Sequence, residues 1–179
     1  SQNDIDDVLL PWFLNRYAGG LTLRQNLLLL VKTAKELRAC IKQYGSLEKY
    51  FSALFRGYGD PISVTHQLGS SKSPRKLPAL GIPIAAEMMK NIGYDVAKPD
   101  RHLNRALGCL RRVSFANWKD KSKNKAPLAT EDEMIEVMKE MDRFAITIGE
   151  RVALLDNAIW MLCAKSGMGM CNSDLSRMI

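Results

Sequence analysis

The sequence is poor in the residues that build metal centres and membrane anchors. Its 179 residues include two histidines and four cysteines, and no two cysteines have the Cys-x-x-Cys spacing of zinc or iron–sulfur sites. No apolar run reaches the roughly 18 residues that cross a bilayer. The densest run, residues 27–31, is flanked by Arg24 and Lys32. The acidic N-terminal segment lacks the basic start of a signal peptide. These absences predict a cytoplasmic protein with reduced thiols.

The chain also has no stretch longer than about four residues with the alternating apolar pattern of a β-strand. Apolar residues instead recur with the 3.6-residue helical period. Helix starts are marked by Thr22, Ser46 and a Thr130–Glu133 capping box, whereas Gly45 and Gly149 mark helix ends. The pattern predicts further helices over about 82–92, over about 101–110 and from Val152 onward. Residues 57–74 predict a loop that could hold a short helix at 64–68, and residues 117–129 predict a mobile loop. We therefore expect an all-α fold, as one domain over residues 1–179.

The charge balance favours a polyanionic partner. The net charge is +7 and the isoelectric point is about 9.3, so nucleic acid is the first expectation and an anionic membrane surface the second. A basic protein with neither partner has the same composition. The lysines of the segment 119–125 could steer DNA, or they could be a solvated loop.

The segment 77–107 is the most informative part of the chain. Residues 77–81 read Leu-Pro-Ala-Leu-Gly, a tight connection that opens a helix. Free N–H groups at the start of that helix would form a phosphate site, with Lys72, Arg75 and Lys76 just upstream. The same residues are equally consistent with a plain connection between two helices that binds no phosphate. About 20 residues further on, Asp100 stands among basic residues, where it could cap the helix that begins at Arg101.

Three segments resemble the helix-hairpin-helix DNA glycosylases, the endonuclease-III-like (HhH-GPD) superfamily. LPALGIPIAAEMM resembles that family's LPGxGxxTA hairpin, and KPDRHLNRAL resembles its VDTHVxRV segment. LLDNAIWMLCA is similar to the helix that packs behind the family's site. The resemblance covers residues 66–163, and residues 1–60 match only in being helical. It implies a two-lobed helical bundle, with a hairpin over 75–92 and a catalytic loop segment over 93–110. The N- and C-terminal helices would share one lobe.

The resemblance implies a DNA glycosylase of base excision repair, a hydrolase that acts on N-glycosyl compounds in duplex DNA. Asp100 matches the family's essential aspartate. A carboxylate near C1′ would stabilise the positive charge that develops on the sugar and could activate water. His102 matches the family's histidine and could orient the loop or touch a phosphate, although a structural histidine is equally consistent. The sequence does not name the excised lesion.

The chain also departs from the family pattern. Bifunctional members carry a nucleophilic lysine where this sequence has Pro83, and Lys76 and Lys90 lie seven residues to either side. The resemblance therefore implies a monofunctional enzyme without lyase activity. Ala79 replaces the first hairpin glycine, and the iron–sulfur cysteine quartet of some relatives is missing. Two alternatives follow: a non-catalytic helix-hairpin-helix DNA-binding module, and a helical scaffold with no role on nucleic acid.

The remaining expectations also come from the resemblance. It implies DNA contacts from Arg75, Lys76, Pro78, Ala79, Leu80, Gly81, Ile82, Pro83, Lys98, His102 and Arg105. A structural Na⁺ or K⁺ ion could bind the backbone carbonyls of Arg75, Leu77 and Leu80, and no other cofactor is expected. Trp12 and Trp118 are the candidates for the base pocket, whereas Trp160 is expected in the core. The protein would be a monomer that acts where DNA is kept, at the nucleoid or in the nucleus.

Overall fold

A computed structural model of the protein describes residues 4–14, 21–118, 125–164 and 167–178. Over these residues the chain forms nine α-helices and no strand, so the predicted all-α class is confirmed for the described part. A π-helical segment, Ile5–Leu9, comes before the first α-helix. The α-helices are α1 (Leu10–Leu14), α2 (Leu21–Tyr44), α3 (Leu47–Tyr58), α4 (Pro61–Gly69), α5 (Ile82–Asn91), α6 (Arg101–Cys109), α7 (Glu131–Ile148), α8 (Val152–Cys163) and α9 (Asn172–Ser176). None of the described helices is both long and apolar enough to span a bilayer.

The chain divides into two compact units. The first contains Ser1–Gly57 with Leu77–Ala79, and the second contains Tyr58–Lys76 with Leu80–Ile179. The expectation of a single domain whose N- and C-terminal helices share one lobe remains a prediction.

In the N-terminal unit, the long helix α2 is followed directly by α3. Gly45 separates them with a φ of 88°, a left-handed conformation that glycine adopts without steric cost. Ser46 caps α3 as predicted, since its Oγ accepts a hydrogen bond from the N–H of Lys49 (3.1 Å). Tyr50, Phe51 and Leu54 form the buried face of α3.

The second unit opens with a helix that is longer than the sequence suggested. Residues 57–74 were expected to be a loop with, at most, a short helix at 64–68, but α4 occupies Pro61–Gly69. The Asp-Pro pair that suggests a turn is a helix start here. Asp60 is the N-cap and accepts from the N–H of Ser63 (2.9 Å), and Pro61 lies in the first turn, where a missing N–H costs nothing. The helices α4 and α5 pack closely. A Cβ on Gly69 would lie 2.7 Å from Ile82 Cα, so glycine permits the contact.

The core of the second unit lies among α6, α7 and α8. Leu103 and Leu107 pack there with Val137, Met141 and Val152. The predicted Thr130–Glu133 capping box is present, and Gly149 ends α7 with a φ of 72°. A neighbouring cluster joins α6 to the short helix α9 through Cys109, Cys163 and Leu175. The effect is to hold the N-terminus of α6, which carries Asp100, against α8.

Candidate functional site

Asp100 lies at the N-terminus of α6 and caps it. Its Oδ1 accepts hydrogen bonds from the backbone N–H groups of His102 (2.8 Å) and Leu103 (3.2 Å). The prediction that Asp100 is an N-cap is therefore confirmed. Both bonds end on the same oxygen, so the cap does not use Oδ2. A half-buried carboxylate thus has one oxygen available for a second task.

Asp100 lines a cavity of about 280 Å³, and α5 and α8 supply most of the other lining residues. This volume is near the lower end of the range for small-ligand sites. Three carboxylates, two ammonium groups, one amide and one indole line it: Glu87, Lys90, Lys98, Asp100, Asp156, Asn157 and Trp160. We refer to it below as the Asp100 cavity. Its residues come from sequence positions up to 73 apart, and the fold brings them together.

A buried ion pair forms one wall of the Asp100 cavity. Lys90 Nζ lies 2.8 Å from Asp156 Oδ2, and only 15% of the Lys90 side chain and 7% of the Asp156 side chain are exposed. Burial alone would lower the pKa of Lys90, but the hydrogen bond and negative charge of Asp156, with Glu87, raise it above its ordinary value. Burial raises the pKa of Asp156, and the hydrogen bond from Lys90 opposes that shift. Lys90 is therefore held as a cation.

Lys98 is directed toward the same wall, although it was expected to contact DNA. Its backbone N–H donates to Asp156 Oδ2 (3.2 Å), and its Nζ lies 3.6 Å from Glu87 Oε2. Lys90 Nζ lies 3.5 Å from that same Glu87 oxygen. The residues before Asp100 are thus fastened to α5 and α8 by charge-assisted contacts.

His102 packs against Trp160 rather than standing free. The two rings meet edge to face, with centroids 6.2 Å apart. Burial lowers the pKa of His102, and this effect outweighs the opposing pull of Asp100, so the imidazole is neutral at pH 7. Its Nε2 accepts a hydrogen bond from Arg101 Nε (3.3 Å). Whether His102 contacts DNA stays a prediction, but its contact with Trp160 links the Asp100 turn to α8.

The connection between α4 and α5 is held by Lys76. Its Nζ donates to the carbonyls of Gly69 (2.9 Å) and Leu80 (2.8 Å). The resemblance implied a Na⁺ or K⁺ ion at carbonyls that include Leu80. The ammonium already carries the charge that such an ion would supply, and it would repel a second cation. The residues therefore do not fit a monovalent cation at Leu80, and Lys76 is directed inward rather than toward phosphate.

Two of the first four residues of α5 offer no free N–H group to a phosphate. Pro83 has no N–H, and the N–H of Ala85 is bonded to the Gly81 carbonyl (2.9 Å). Leu80 and Ile82 are buried at 6% and 2% exposure, so only their backbones could reach a strand. In the N-terminal unit, the N–H of Ala79 donates to Thr33 Oγ1 (2.9 Å) and is no longer free for a phosphate. Pro78 is half-buried and belongs to that unit too.

Arg75 and Arg105, two arginines expected to contact DNA, differ in their exposure and their partners. Arg75 is exposed and donates to the hydroxyl of Tyr58 (3.0 Å), so its predicted DNA contact stays open. Arg105, in contrast, is only 6% exposed. Its Nη2 donates to the carbonyls of Cys163 (3.0 Å), the last residue of α8, and of Met170 (2.8 Å), so it satisfies one acceptor at the end of that helix. The guanidinium of Arg105 is thus engaged inside the fold, and its expected phosphate contact stays a prediction.

The burial of two tryptophans differs from what the sequence suggested. Trp118 is only 9% exposed and its Nε1 donates to the Lys125 carbonyl (3.1 Å), so it packs in the core, and its place in a base pocket stays a prediction. Trp160, expected in the core, is 44% exposed and lines the Asp100 cavity. Trp12 is 45% exposed on α1 of the N-terminal unit, and its role stays a prediction.

Sequence reasoning did not identify Lys90, Asp156, Asn157 or Trp160 as site residues. One signal was present. Asp156 lies on the same side of its helix as the apolar residues Val152 and Ile159, and a buried carboxylate needs a cation beside it. No three His, Cys, Asp or Glu residues of the described chain form a group that could hold a metal ion. Lys119, Lys121 and Lys123 of the lysine-rich segment lie outside the described residues.

No protein-family model, curated protein or solved structure matches this chain.

Proposed function

We propose that this chain is a helix-hairpin-helix DNA glycosylase, which hydrolyses the N-glycosidic bond of a damaged or mismatched base in duplex DNA. Its hairpin motif would be residues 75–92, which include the helix α5, in a two-lobed helical bundle. The observation that carries the proposal is the position of Asp100. A carboxylate with one oxygen outside its helix cap lies beside an exposed indole, in a cavity of about 280 Å³.

The proposed reaction uses Asp100 at the sugar. The bond between C1′ and the base nitrogen breaks, the base leaves with the electron pair, and positive charge develops on the sugar. Asp100 Oδ2 would stabilise that charge and accept a proton as the oxygen of water bonds to C1′. The departing base would take up a proton. The products are a free base and an abasic site in an intact strand.

The cavity also offers contacts to an extruded base. The exposed ring of Trp160 would stack on it, as bases stack on aromatic side chains in other proteins. Asn157 lies at the same wall, and its Oδ1 accepts from Lys90 Nζ (3.3 Å). A lysine ammonium only donates, so this bond turns the amide NH₂ group away from Lys90, where it could donate to an acceptor on the base.

We propose a monofunctional enzyme, for two reasons. Pro83 stands where bifunctional members of the resembled family have a nucleophilic lysine. Lys90 lies in the Asp100 cavity, but Asp156 keeps it protonated, and a protonated amine cannot attack C1′. The alternative is a non-catalytic DNA-binding module. The cap bonds favour it in one respect, because they account for Asp100 without any chemistry.

A base-release assay on duplex oligonucleotides would test the proposal. The panel would contain alkylated purines, oxidised guanine, and mismatched uracil and thymine, each assayed with and without hot alkali. Asp100→Asn should abolish release without loss of stability, since asparagine caps a helix as well as aspartate does. Asp60→Asn is the matched control. Asp60 is also a helix N-cap, at the start of α4, but does not line the Asp100 cavity, so this variant should keep full activity.

Each outcome has a distinct meaning. Alkali-dependent cleavage that disappears in Asp100→Asn would support a monofunctional glycosylase and name its lesion. Cleavage without alkali would contradict the monofunctional assignment and direct attention to Lys90. Unchanged release in Asp100→Asn would remove Asp100 from the mechanism. Tight DNA binding with no release from any lesion would favour the non-catalytic module.

A further inference from the structure

A face of α2 in the N-terminal unit carries four basic side chains: Lys32, Lys35, Arg38 and Lys42. All four are exposed. At about 100° per residue they fall within an arc of about 120°, and at 1.5 Å per residue they extend over about 15 Å of the helix. Thr33 is buried and Leu37 half-buried, and both lie on the opposite side of the helix from the basic arc. We call this set the α2 basic face.

The charges of this face are not compensated. No side chain of the four makes an ion pair or hydrogen bond within the described residues. The only acid of α2 is Glu36, which lies outside the arc. On α7, in contrast, Arg143 contacts both Glu136 (2.9 Å) and Glu140 (2.7 Å). Protein surfaces usually intersperse the two signs, and four unpaired cations on one helical face leave a local positive potential.

The dimensions and chemistry of the face fit a nucleic acid backbone. One strand of B-DNA presents a phosphate for every 3.4 Å of rise along its axis, so a face about 15 Å long can reach several phosphates. Ala39, which lies between Lys35 and Lys42 on the surface, is small and exposed. A helix that inserts among lipids carries exposed bulky apolar side chains on its contact face, whereas the exposed bulky apolar residues of α2, Leu30 and Ile41, lie outside the basic arc. The α2 basic face therefore favours a contact that is purely electrostatic.

We infer that the α2 basic face is a phosphate-binding surface for duplex DNA, through which the N-terminal unit adds affinity without reading sequence. The inference rests on the proposed function only in taking DNA as the partner. It assigns a role to residues 32–42, which the family resemblance does not cover. Each phosphate contact releases a condensed counterion, so the contribution of the face should appear in the salt dependence of binding.

The test compares two triple variants in DNA-binding titrations from 50 to 300 mM salt. Lys35→Gln/Arg38→Gln/Lys42→Gln removes three charges from the face, and glutamine preserves helix propensity. Arg112→Gln/Lys139→Gln/Arg143→Gln removes three exposed basic charges from the second unit, so both variants change the net charge of +7 equally. We expect the slope of log K against log salt to become shallower by about 2.7 in the first variant and to stay near the native value in the second. Circular dichroism would verify that both variants are folded.

Three results would overturn the inference: equal slopes in the native protein and the first variant, equal loss in both variants, or no binding of duplex DNA by the native protein. A loss confined to binding of anionic phosphatidylserine vesicles would assign the face to a membrane surface instead. Base release at saturating DNA separates this inference from the proposed function. Normal release with an unchanged slope would reject only the phosphate-binding face, whereas a changed slope without release would reject only the enzyme.

Discussion

Asp60 and Asp100 are both N-caps, and each lies at a cavity of the second unit, but they use their carboxylates differently. Asp60 uses both oxygens on one residue: Oδ1 accepts from the N–H of Ser63 (2.9 Å) and Oδ2 from its hydroxyl (2.6 Å). Asp100 uses Oδ1 alone for both of its cap bonds. A capping aspartate can therefore be purely structural or can retain an oxygen for chemistry. Whether its second carboxylate oxygen accepts a hydrogen bond decides between the two.

The two cavities also differ in how their charges are balanced. The cavity at Asp60 is larger, about 580 Å³, and its acidic residues include Asp132 and Asp142. Lys139 also lines it, but Asp60, Asp132 and Asp142 make no ion pair within the described residues. In the Asp100 cavity, Lys90 and Lys98 lie within 4 Å of a carboxylate oxygen of the same cavity. Size alone would select the larger cavity, whereas positioned charge and an exposed indole select the smaller one.

The largest expected effect comes from breaking the charge balance of the Asp100 cavity. Lys90→Met would leave the Asp156 carboxylate buried without its cation, which costs about 3–5 kcal/mol of unfolding free energy. The loss should be greater at pH 8 than at pH 4, because Asp156 can become protonated at low pH. Urea denaturation would measure it, with Lys139→Met at the larger cavity as the control, for which little change is expected.

A double variant extends this prediction. Lys90→Met/Asp156→Leu removes both charges and should recover most of the lost stability, since an apolar pair can replace a buried ion pair. If Lys90→Met alone were as stable as the native protein at every pH, the ion pair would have no structural role. The distinction between a compensated and an uncompensated cavity would then fail.

A smaller effect would sharpen the comparison of the two caps. Asp60→Ala and Asp100→Ala should each cost about 1 kcal/mol of unfolding free energy, because each removes the acceptor for N–H groups of the first helical turn. Stability should thus fall alike in the two variants, whereas base release should fall only in Asp100→Ala. Thermal denaturation and the base-release assay on the same preparations would show this. Equal activity in both variants would mean that Asp100, like Asp60, only caps its helix.

Local signals in the sequence predicted most of the helices. The capping box at Thr130 and the glycines at 45 and 149 act within one helical turn, so their physics depends on near neighbours alone. For α4 the sequence suggested only a short helix at 64–68 within a loop, because Asp60 and Pro61 favour a turn and a helix start equally well. Burial of Leu68 and close packing at Gly69 decide for the helix, and both depend on residues distant in the chain.

The site was predictable only where one residue carried the signal. Asp100 was identified from its own segment, but Asp156 meets Lys90 across 66 residues, and periodicity does not encode such a pairing. The exposure of Trp160 was hidden because α8 is apolar around most of its circumference, which leaves no polar side to define its outer face. The burial of Arg105 was not foreseen, because a free carbonyl at the end of another helix is invisible in sequence.

The smallest expected effect concerns Asp142 at the larger cavity. Burial raises its pKa, and the charges of Asp95 and Asp60 add to the shift. Its charged form is therefore disfavoured in the folded state, so native stability falls as pH rises from the unfolded pKa through the folded one. Asp142→Asn should raise Tm slightly at pH 7 and leave it unchanged near pH 3.

Glu131→Gln should act in the opposite direction. Hydrogen bonds from Ser70 and Ser71 lower the pKa of Glu131 to about 2, so its loss should reduce Tm at pH 7 and matter less as pH falls from about 4.5 toward 2. Differential scanning calorimetry across this range would measure both, and a lower Tm of Asp142→Asn at pH 7 would show that the larger cavity is charge-balanced after all.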